Sequence, residues 1–296
     1  MKFASITSGL LMTCTLLCAQ RPIDTTEVLS IGGIQQYISV KGKDTSLPLL
    51  LFLHGGPGGS VMHYADKFTH RLQNHFVVIQ WDQRQTGKTL ALNPSPLPLT
   101  LEQFQRDTYE MIMALLAKFG RERLYLVGHS WGTALGFHIA KNYPTLLFAY
   151  IPIGSMVDQL ESERIALTML KDDPAGHGSL EAIAELDEVR IPFENGEQLY
   201  YHRKWLLKQA RSRRDLSKDF VVDWARTWMH LFNEASRDNL LKSTPTIGCP
   251  VYFFAGRKDY QTNSALAEQY YLSLNAPKKG FFWFERSGHS IPSTEP

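Results

Sequence analysis

Apolar residues follow two alternating patterns along this chain. Pro48–Leu53, Phe76–Trp81, Leu124–Val127, Phe148–Ile153, Val251–Phe254 and Phe281–Phe284 are short apolar runs that read as strands, and the uninterrupted ones suit strands buried on both faces. Between them the apolar positions fall at helical spacing: Thr100 to Phe119, with Thr100 as N-cap and Gly120 as the stop, then Thr133 to Asn142 and Ser264 to Leu274. Near the start, Glu27–Ile31 and Gln35–Val40 flank Gly32-Gly33, a hairpin signature. Strand and helix in alternation predict an α/β chain built on a mainly parallel sheet covered by helices.

The alternation breaks between Ser155 and about Lys242. That segment carries clustered charge, several large aromatics (among them Tyr200, Tyr201, Trp205, Trp224 and Trp228) and no buried-strand pattern. It is expected to be a helical insertion, a lid above the sheet. The chain then divides into a leader (1–19), a first core part (20–154), the lid (155–242) and a last core part (243–296).

Composition narrows this picture. At 296 residues, 44% hydrophobic and 20% charged, the chain can bury a core without metals or disulfides. The net charge is +2, of which Lys2 supplies one in the leader, so the remainder is close to neutral and no nucleic-acid partner is expected. Lys2 followed by an apolar stretch from Leu10 to Leu17 and a small residue, Ala19, reads as an export signal with a mature chain from Gln20. Lipidation at Cys18 is the alternative. A membrane-spanning anchor is disfavoured by the short, Ser/Thr-interrupted run, and no stable membrane insertion is expected. Cys14 and Cys18 fall in the leader, which leaves Cys249 as a lone, structural thiol before a strand.

The chemistry lies at strand ends. Gly128-His129-Ser130-Trp131-Gly132 fits G-x-S-x-G between a strand and a helix, where a tight turn projects a serine hydroxyl and only small neighbours fit. A serine hydroxyl needs a base, and the base needs an orienting carboxylate. Asp259 follows the strand at Val251 and His289 follows the strand at Phe281, in the order serine, acid, histidine. Asp158 is the next candidate for the acid. His54-Gly55-Gly56-Pro57-Gly58-Gly59 directly follows a buried strand, so its amides can approach a ligand. Gly56 and Trp131 N–H are the expected oxyanion donors, with Gly55 as the fallback. Gly87-Lys88-Thr89 resembles the end of a phosphate loop, but Asp82 occupies the position where that motif requires glycine.

These motifs, together with Trp81-Asp82-Gln83-Arg84, Gly256-Arg257-Lys258-Asp259 and Ser287-Gly288-His289-Ser290, resemble the proline iminopeptidase-like branch of the α/β-hydrolases over roughly residues 25–155 and 243–296. The resemblance implies a three-layer α/β-hydrolase fold with a mainly parallel eight-stranded sheet. It also implies a serine hydrolase that acts through an acyl-enzyme and needs no cofactor or metal, most simply an aminopeptidase on short peptides. A carboxylesterase or amidase on small substrates is the alternative, and a catalytically silent binding protein a third reading.

The chain departs from the family pattern at several points. Gln85 stands where the family carries glycine after Asp-Gln-Arg, so the turn is expected to differ. The lid offers Trp224-Ala225 and Trp228-Met229 in place of the family's Trp-Glu pair for amine recognition. Glu163 is the first guess for an amine-binding lid carboxylate, although it, Glu185, Glu188 and Glu194 each read more readily as solvated surface charge. The basic run Arg203 to Arg214 reads as a solvated helix face. Seven residues follow His289, fewer than a closing helix of this fold needs.

Overall fold

The computed structural model describes residues 21–94, 99–172, 179–210 and 216–296. The leader, with Cys18, Ala19 and Gln20, lies outside the described residues, as do residues 211–214 of the basic run.

Eight strands form one sheet in the order β1-β2-β4-β3-β5-β6-β7-β8. They are β1 (Ile23–Ile31), β2 (Ile34–Gly42), β3 (Leu49–Leu53), β4 (Val77–Asp82), β5 (Leu124–His129), β6 (Leu147–Ile153), β7 (Val251–Gly256) and β8 (Lys279–Phe284). β2 pairs antiparallel with both β1 and β4, and the remaining pairings are parallel. The hairpin β1–β2 turns at Gly32 and Gly33, both at positive φ, where a residue without Cβ is least strained. β3 and β4 are buried at every position, β3 as its unbroken apolar run requires and β4 with Gln80 and Asp82 buried among its apolar residues.

The helices are α1 (Asp66–Thr69), α2 (Gly87–Leu92), α3 (Leu101–Phe119), α4 (Trp131–Asn142), α5 (Gln159–Asp172), α6 (Leu180–Glu188), α7 (Gly196–Gln209), α8 (Lys218–Ser236), α9 (Leu240–Ser243), α10 (Ser264–Ser273) and α11 (Ile291–Thr294). Helix α3 begins and ends as its sequence dictates. Thr100 accepts a hydrogen bond from the Gln103 amide, and Gly120 closes the helix in the left-handed region. Its buried face, including Phe104, Met111, Ile112 and Leu115, packs into the main core beside Trp131 and Leu231.

Helices α5 to α9 all lie between β6 and β7. Ser179, Asn195 and Ser217 cap α6, α7 and α8 through their side chains. A satellite apolar cluster (Ala166, Leu170, Ala182, Leu186, Trp205, Leu206) joins α5, α6 and α7, while Trp228, Leu231 and Phe232 of α8 belong to the main core. Among the described residues, no helix is long and apolar enough to cross a membrane. Cys249 is buried and free, and burial pushes its thiol up to about 11.

Gln85 stands at a positive φ despite its side chain. Gln85 takes φ 58, the left-handed conformation that suits glycine, so a glycine-type turn stands with a glutamine in it. The side-chain Oε1 is buried and has no hydrogen-bond partner among the described residues. Gln85→Gly should therefore relieve backbone strain and desolvation together, raising stability by about 1 kcal/mol despite the greater entropy of an unfolded glycine. Denaturant unfolding would measure it. A loss of 1 kcal/mol or more would show that the Gln85 side chain contributes packing that outweighs its strain.

Candidate active site

The site is assembled by strand register. Leu53 pairs with Gly128, and His129 pairs with Ile153, so the loops after β3, β5 and β6 emerge side by side. Gly256 pairs with Phe284, bringing the loops after β7 and β8 together at the same edge. This edge is formed by the carboxyl ends of the parallel strands, where open α/β sheets leave a crevice.

Ser130 sits at φ 53, ψ −122, a strained conformation for a residue with a side chain. The two glycines of the motif make that turn feasible. A Cβ on Gly128 would lie 2.6 Å from the Gly132 carbonyl oxygen, and one on Gly132 would lie 2.2 Å from the Leu53 oxygen. Helix α4 starts directly after the serine, so the positive end of its dipole faces the hydroxyl.

His289 joins the other two predicted members. Its Nε2 lies 2.9 Å from Ser130 Oγ and its Nδ1 lies 2.9 Å from Asp259 Oδ2. An ionised carboxylate only accepts, so Nδ1 carries the hydrogen and Nε2 presents its lone pair to the serine. Asp259 is itself held tightly. Oδ1 accepts from the Gln261 and Thr262 amides, and Oδ2 accepts from Thr262 Oγ1. Burial raises the Asp259 carboxyl, but the charge and hydrogen bond of His289, with the Thr262 bonds, outweigh it and leave its pKa below the ordinary value.

His129 supports the same ring. Its Nε2 lies 2.9 Å from the His289 carbonyl oxygen, to which it must donate, and the two rings lie 5.2 Å apart. Burial, aided by the neighbouring His289, pushes His129 down to about 4.

The glycine loop after β3 approaches the serine closely. A Cβ on Gly55 would lie 3.1 Å from Ser130 Cβ. Neither the Gly56 nor the Trp131 amide has an acceptor among the described residues, so both are available to an incoming oxygen. Helix α8 covers the loop. Trp224 Nε1 donates to the Pro57 carbonyl at 2.8 Å, and a Cβ on Gly58 would lie 2.6 Å from the Trp228 ring. Trp224 and Trp228 of α8 thus clamp the glycine loop.

The Trp81-Asp82-Gln83-Arg84 motif, to which sequence reasoning gave no chemical role, ties the site together. Trp81 donates to Gln36 and Asp82 accepts from Ser60. Gln83 bonds His54 and Trp131, and Arg84 forms a buried ion pair with Asp107 of α3 at 2.8 Å.

Glu163 differs from expectation. It is 1% exposed rather than solvated, and both carboxylate oxygens are taken by the Arg203 guanidinium in a bidentate pair. Gln159 and His202 complete its surroundings. Burial raises its pKa, but Arg203 first, then His202 and Gln159, outweigh that and hold it low. Arg203 is correspondingly not part of a solvated basic face, and Glu185 likewise pairs with Lys204 and Trp205. Asp158, the fallback acid, bonds Asn239 and the Glu161 amide at the start of α5. Among the described residues, no cluster of three or more His, Cys, Asp or Glu is placed to hold a metal.

The buried histidines give a pH dependence. His202, like His129, is driven by burial to about 4, against the opposing pull of Glu163. In the unfolded chain both titrate near 6.5, so the unfolded state binds more protons between pH 6.5 and 4. The depressed carboxyls of Asp259 and Glu163 act in the same direction. Stability is therefore present in full above pH 6.5 and lost as pH falls towards 4, by up to about 3 kcal/mol per histidine. The expected Tm is flat above about pH 7 and falls steeply below 6.5. A flat Tm down to pH 4 would contradict the burial of neutral imidazoles.

Residues 48–270 match the alpha/beta hydrolase fold family, and the chain belongs to it. Within that family it falls in the proline iminopeptidase-like branch and is a hydrolase of the α/β type. It is 30% identical to a probable aminopeptidase, YbaC, of Bacillus subtilis, over 94% of each chain. It is 24% identical to a proline iminopeptidase of Heyndrickxia coagulans, covering 83% of this chain and 86% of that one. Among solved structures, a proline iminopeptidase from Mycobacterium smegmatis superposes with a TM-score of 0.63 at 19% identity, covering 92% and 94% of the two chains.

Proposed function

We propose that the chain is a serine hydrolase of the aminopeptidase type, cleaving short peptides through an acyl-enzyme. The observation that carries this is the unbroken chain of hydrogen bonds from Ser130 Oγ through His289 to Asp259. Ser130 attacks the substrate carbonyl while His289 Nε2 takes its proton. The tetrahedral oxygen develops its charge at the Gly56 and Trp131 amides, and Asp259 stabilises the imidazolium. His289 then protonates the departing amine. A water, deprotonated by the same nitrogen, then attacks the acyl carbon, and His289 returns the proton to Ser130 Oγ as the acyl–oxygen bond breaks and the carboxylic acid leaves. The peptide preference draws on the names of the relatives above. Export, proposed from residues 1–19, would show as a mature protein beginning near Gln20 without lipid, and acylation of Cys18 would replace that form by a membrane-anchored lipoprotein.

A second reading, a carboxylesterase or amidase on small neutral substrates, is favoured by one observation. An ammonium buried near the lid needs a carboxylate, and the Arg203 pair already occupies Glu163. The deciding experiment compares kcat/KM for proline p-nitroanilide, its N-acetylated form and p-nitrophenyl acetate. A strong free-amine preference that survives in Glu163→Gln supports the peptidase, with the amine met elsewhere than at Glu163. Collapse of that preference in Glu163→Gln would return the amine to Glu163. Equal rates for both anilides, with the ester faster, would replace the peptidase by the esterase.

A further inference from the structure

We propose that Gln83 is a positioning residue of the oxyanion hole, holding the Gly56 and Trp131 amides in a fixed mutual relation. The proposal rests on the serine-hydrolase reading above and extends it to a residue outside the triad.

An amide N–H is only as fixed as the carbonyl on its own peptide plane, because the peptide is planar and trans. The carbonyl opposite the Gly56 N–H is that of Gly55. It accepts from His54 Nδ1 at 2.8 Å and from the Gly59 amide at 3.1 Å. The carbonyl opposite the Trp131 N–H is that of Ser130. It accepts from the Thr133 amide at 2.7 Å and from Thr133 Oγ1 at 2.6 Å. Each proposed donor is therefore aimed by a carbonyl that two bonds hold from behind.

These are two separate scaffolds, one on the loop after β3 and one on the elbow before α4. Stabilising a single oxygen requires the two amides at a set separation, and that separation needs a physical link. Gln83 supplies it with three bonds. Its backbone N–H donates to His54 Nε2 at 3.2 Å, its side-chain Nε2 donates to the His54 carbonyl at 3.2 Å, and its Oε1 accepts from Trp131 Nε1 at 3.1 Å. The first bond also fixes the His54 tautomer. Nε2 must be the acceptor, so the hydrogen sits on Nδ1, where it donates to the Gly55 carbonyl.

His54, Gln83 and Trp131 are each fully buried, so water cannot replace a lost bond. Among side chains of this length, only an uncharged carboxamide offers the donor for His54 and the acceptor for Trp131 on one head.

The test uses Gln83→Met, which keeps the length and removes both side-chain bonds, and Trp131→Phe, which removes only the indole donor. With p-nitrophenyl acetate, Gln83→Met should lower kcat and kcat/KM together, by about tenfold to hundredfold, with KM changed by less than about twofold. Phenylboronic acid, whose serine adduct places a tetrahedral oxygen in the hole, should lose affinity by the same factor as kcat/KM. Trp131→Phe should show the same pattern at about threefold to tenfold. Where Gln83→Met fails to fold, Trp131→Phe decides alone.

Ser130→Ala, assayed alongside, separates the two failures. Retained turnover in that variant would remove the serine-hydrolase reading and this proposal with it. An inactive Ser130→Ala beside folded Gln83→Met and Trp131→Phe variants with wild-type kcat and boronate affinity would overturn the positioning role alone. A rise in KM without loss of boronate affinity would overturn it equally, because it would mark a merely structural residue.

Discussion

Replacing Ser130 with alanine is expected to lower kcat by about six orders of magnitude, to the floor of the assay, while the protein stays folded. The serine lies on a turn held by its neighbours' backbones. Its N–H donates to Ile153 and its carbonyl accepts from Thr133, and neither bond involves the hydroxyl. The alanine variant keeps the elbow, the two pinned amides and the His289–Asp259 pair, and loses only the attacking oxygen. Residual turnover of about 10³ to 10⁴ over the uncatalysed rate would reflect the oxyanion donors and binding alone. Steady-state kinetics with p-nitrophenyl acetate, beside a thermal melt, makes the measurement. Turnover within about tenfold of the wild type would move the nucleophile away from Ser130.

Asp259→Asn is expected to cost about 10⁴ in kcat, with the backbone of its loop unchanged. The hydrogen bonds around Asp259 dictate how the asparagine would sit. Oδ1 accepts from two backbone amides, Gln261 and Thr262, so the asparagine oxygen must take that place. Its NH₂ then occupies the Oδ2 position and donates to His289 Nδ1, which forces the ring hydrogen onto Nε2. A protonated Nε2 cannot accept the Ser130 proton. Activity near the wild-type level would show that the orienting acid lies elsewhere, and Asp158, the next candidate, would first have to leave Asn239 and the Glu161 amide.

The sheet was readable from periodicity because each strand's burial shows in its own residues. β3 is apolar and buried throughout, β4 is buried throughout and apolar but for Gln80 and Asp82, and Thr100 and Gly120 mark the ends of α3 by local capping chemistry. That Ser130, Asp259 and His289 come together was readable for a related reason, since each follows a recognisable strand and the parallel register brings those strand ends to one edge. What local pattern does not encode is the partner of a polar side chain. Glu163 has the look of a solvated helix charge, yet it is buried because Arg203, forty residues away, meets it in a bidentate pair. The Trp224 contact with Pro57 spans 167 positions, and the bonds from Gln83 reach back 29 residues and forward 48. Gln85 shows the opposite limit. Its identity argues for a changed turn, but the surrounding fold holds its backbone at positive φ regardless.

The most direct test of the account is covalent labelling with a fluorophosphonate followed by peptide mapping. The probe reacts with a serine only when that serine is activated by a base and faces an oxyanion hole. A single adduct per chain is expected, on the peptide containing Gly128–Gly132 at Ser130, absent from Ser130→Ala and from denatured protein. An adduct on any other residue, or undiminished labelling of Ser130→Ala, would contradict it.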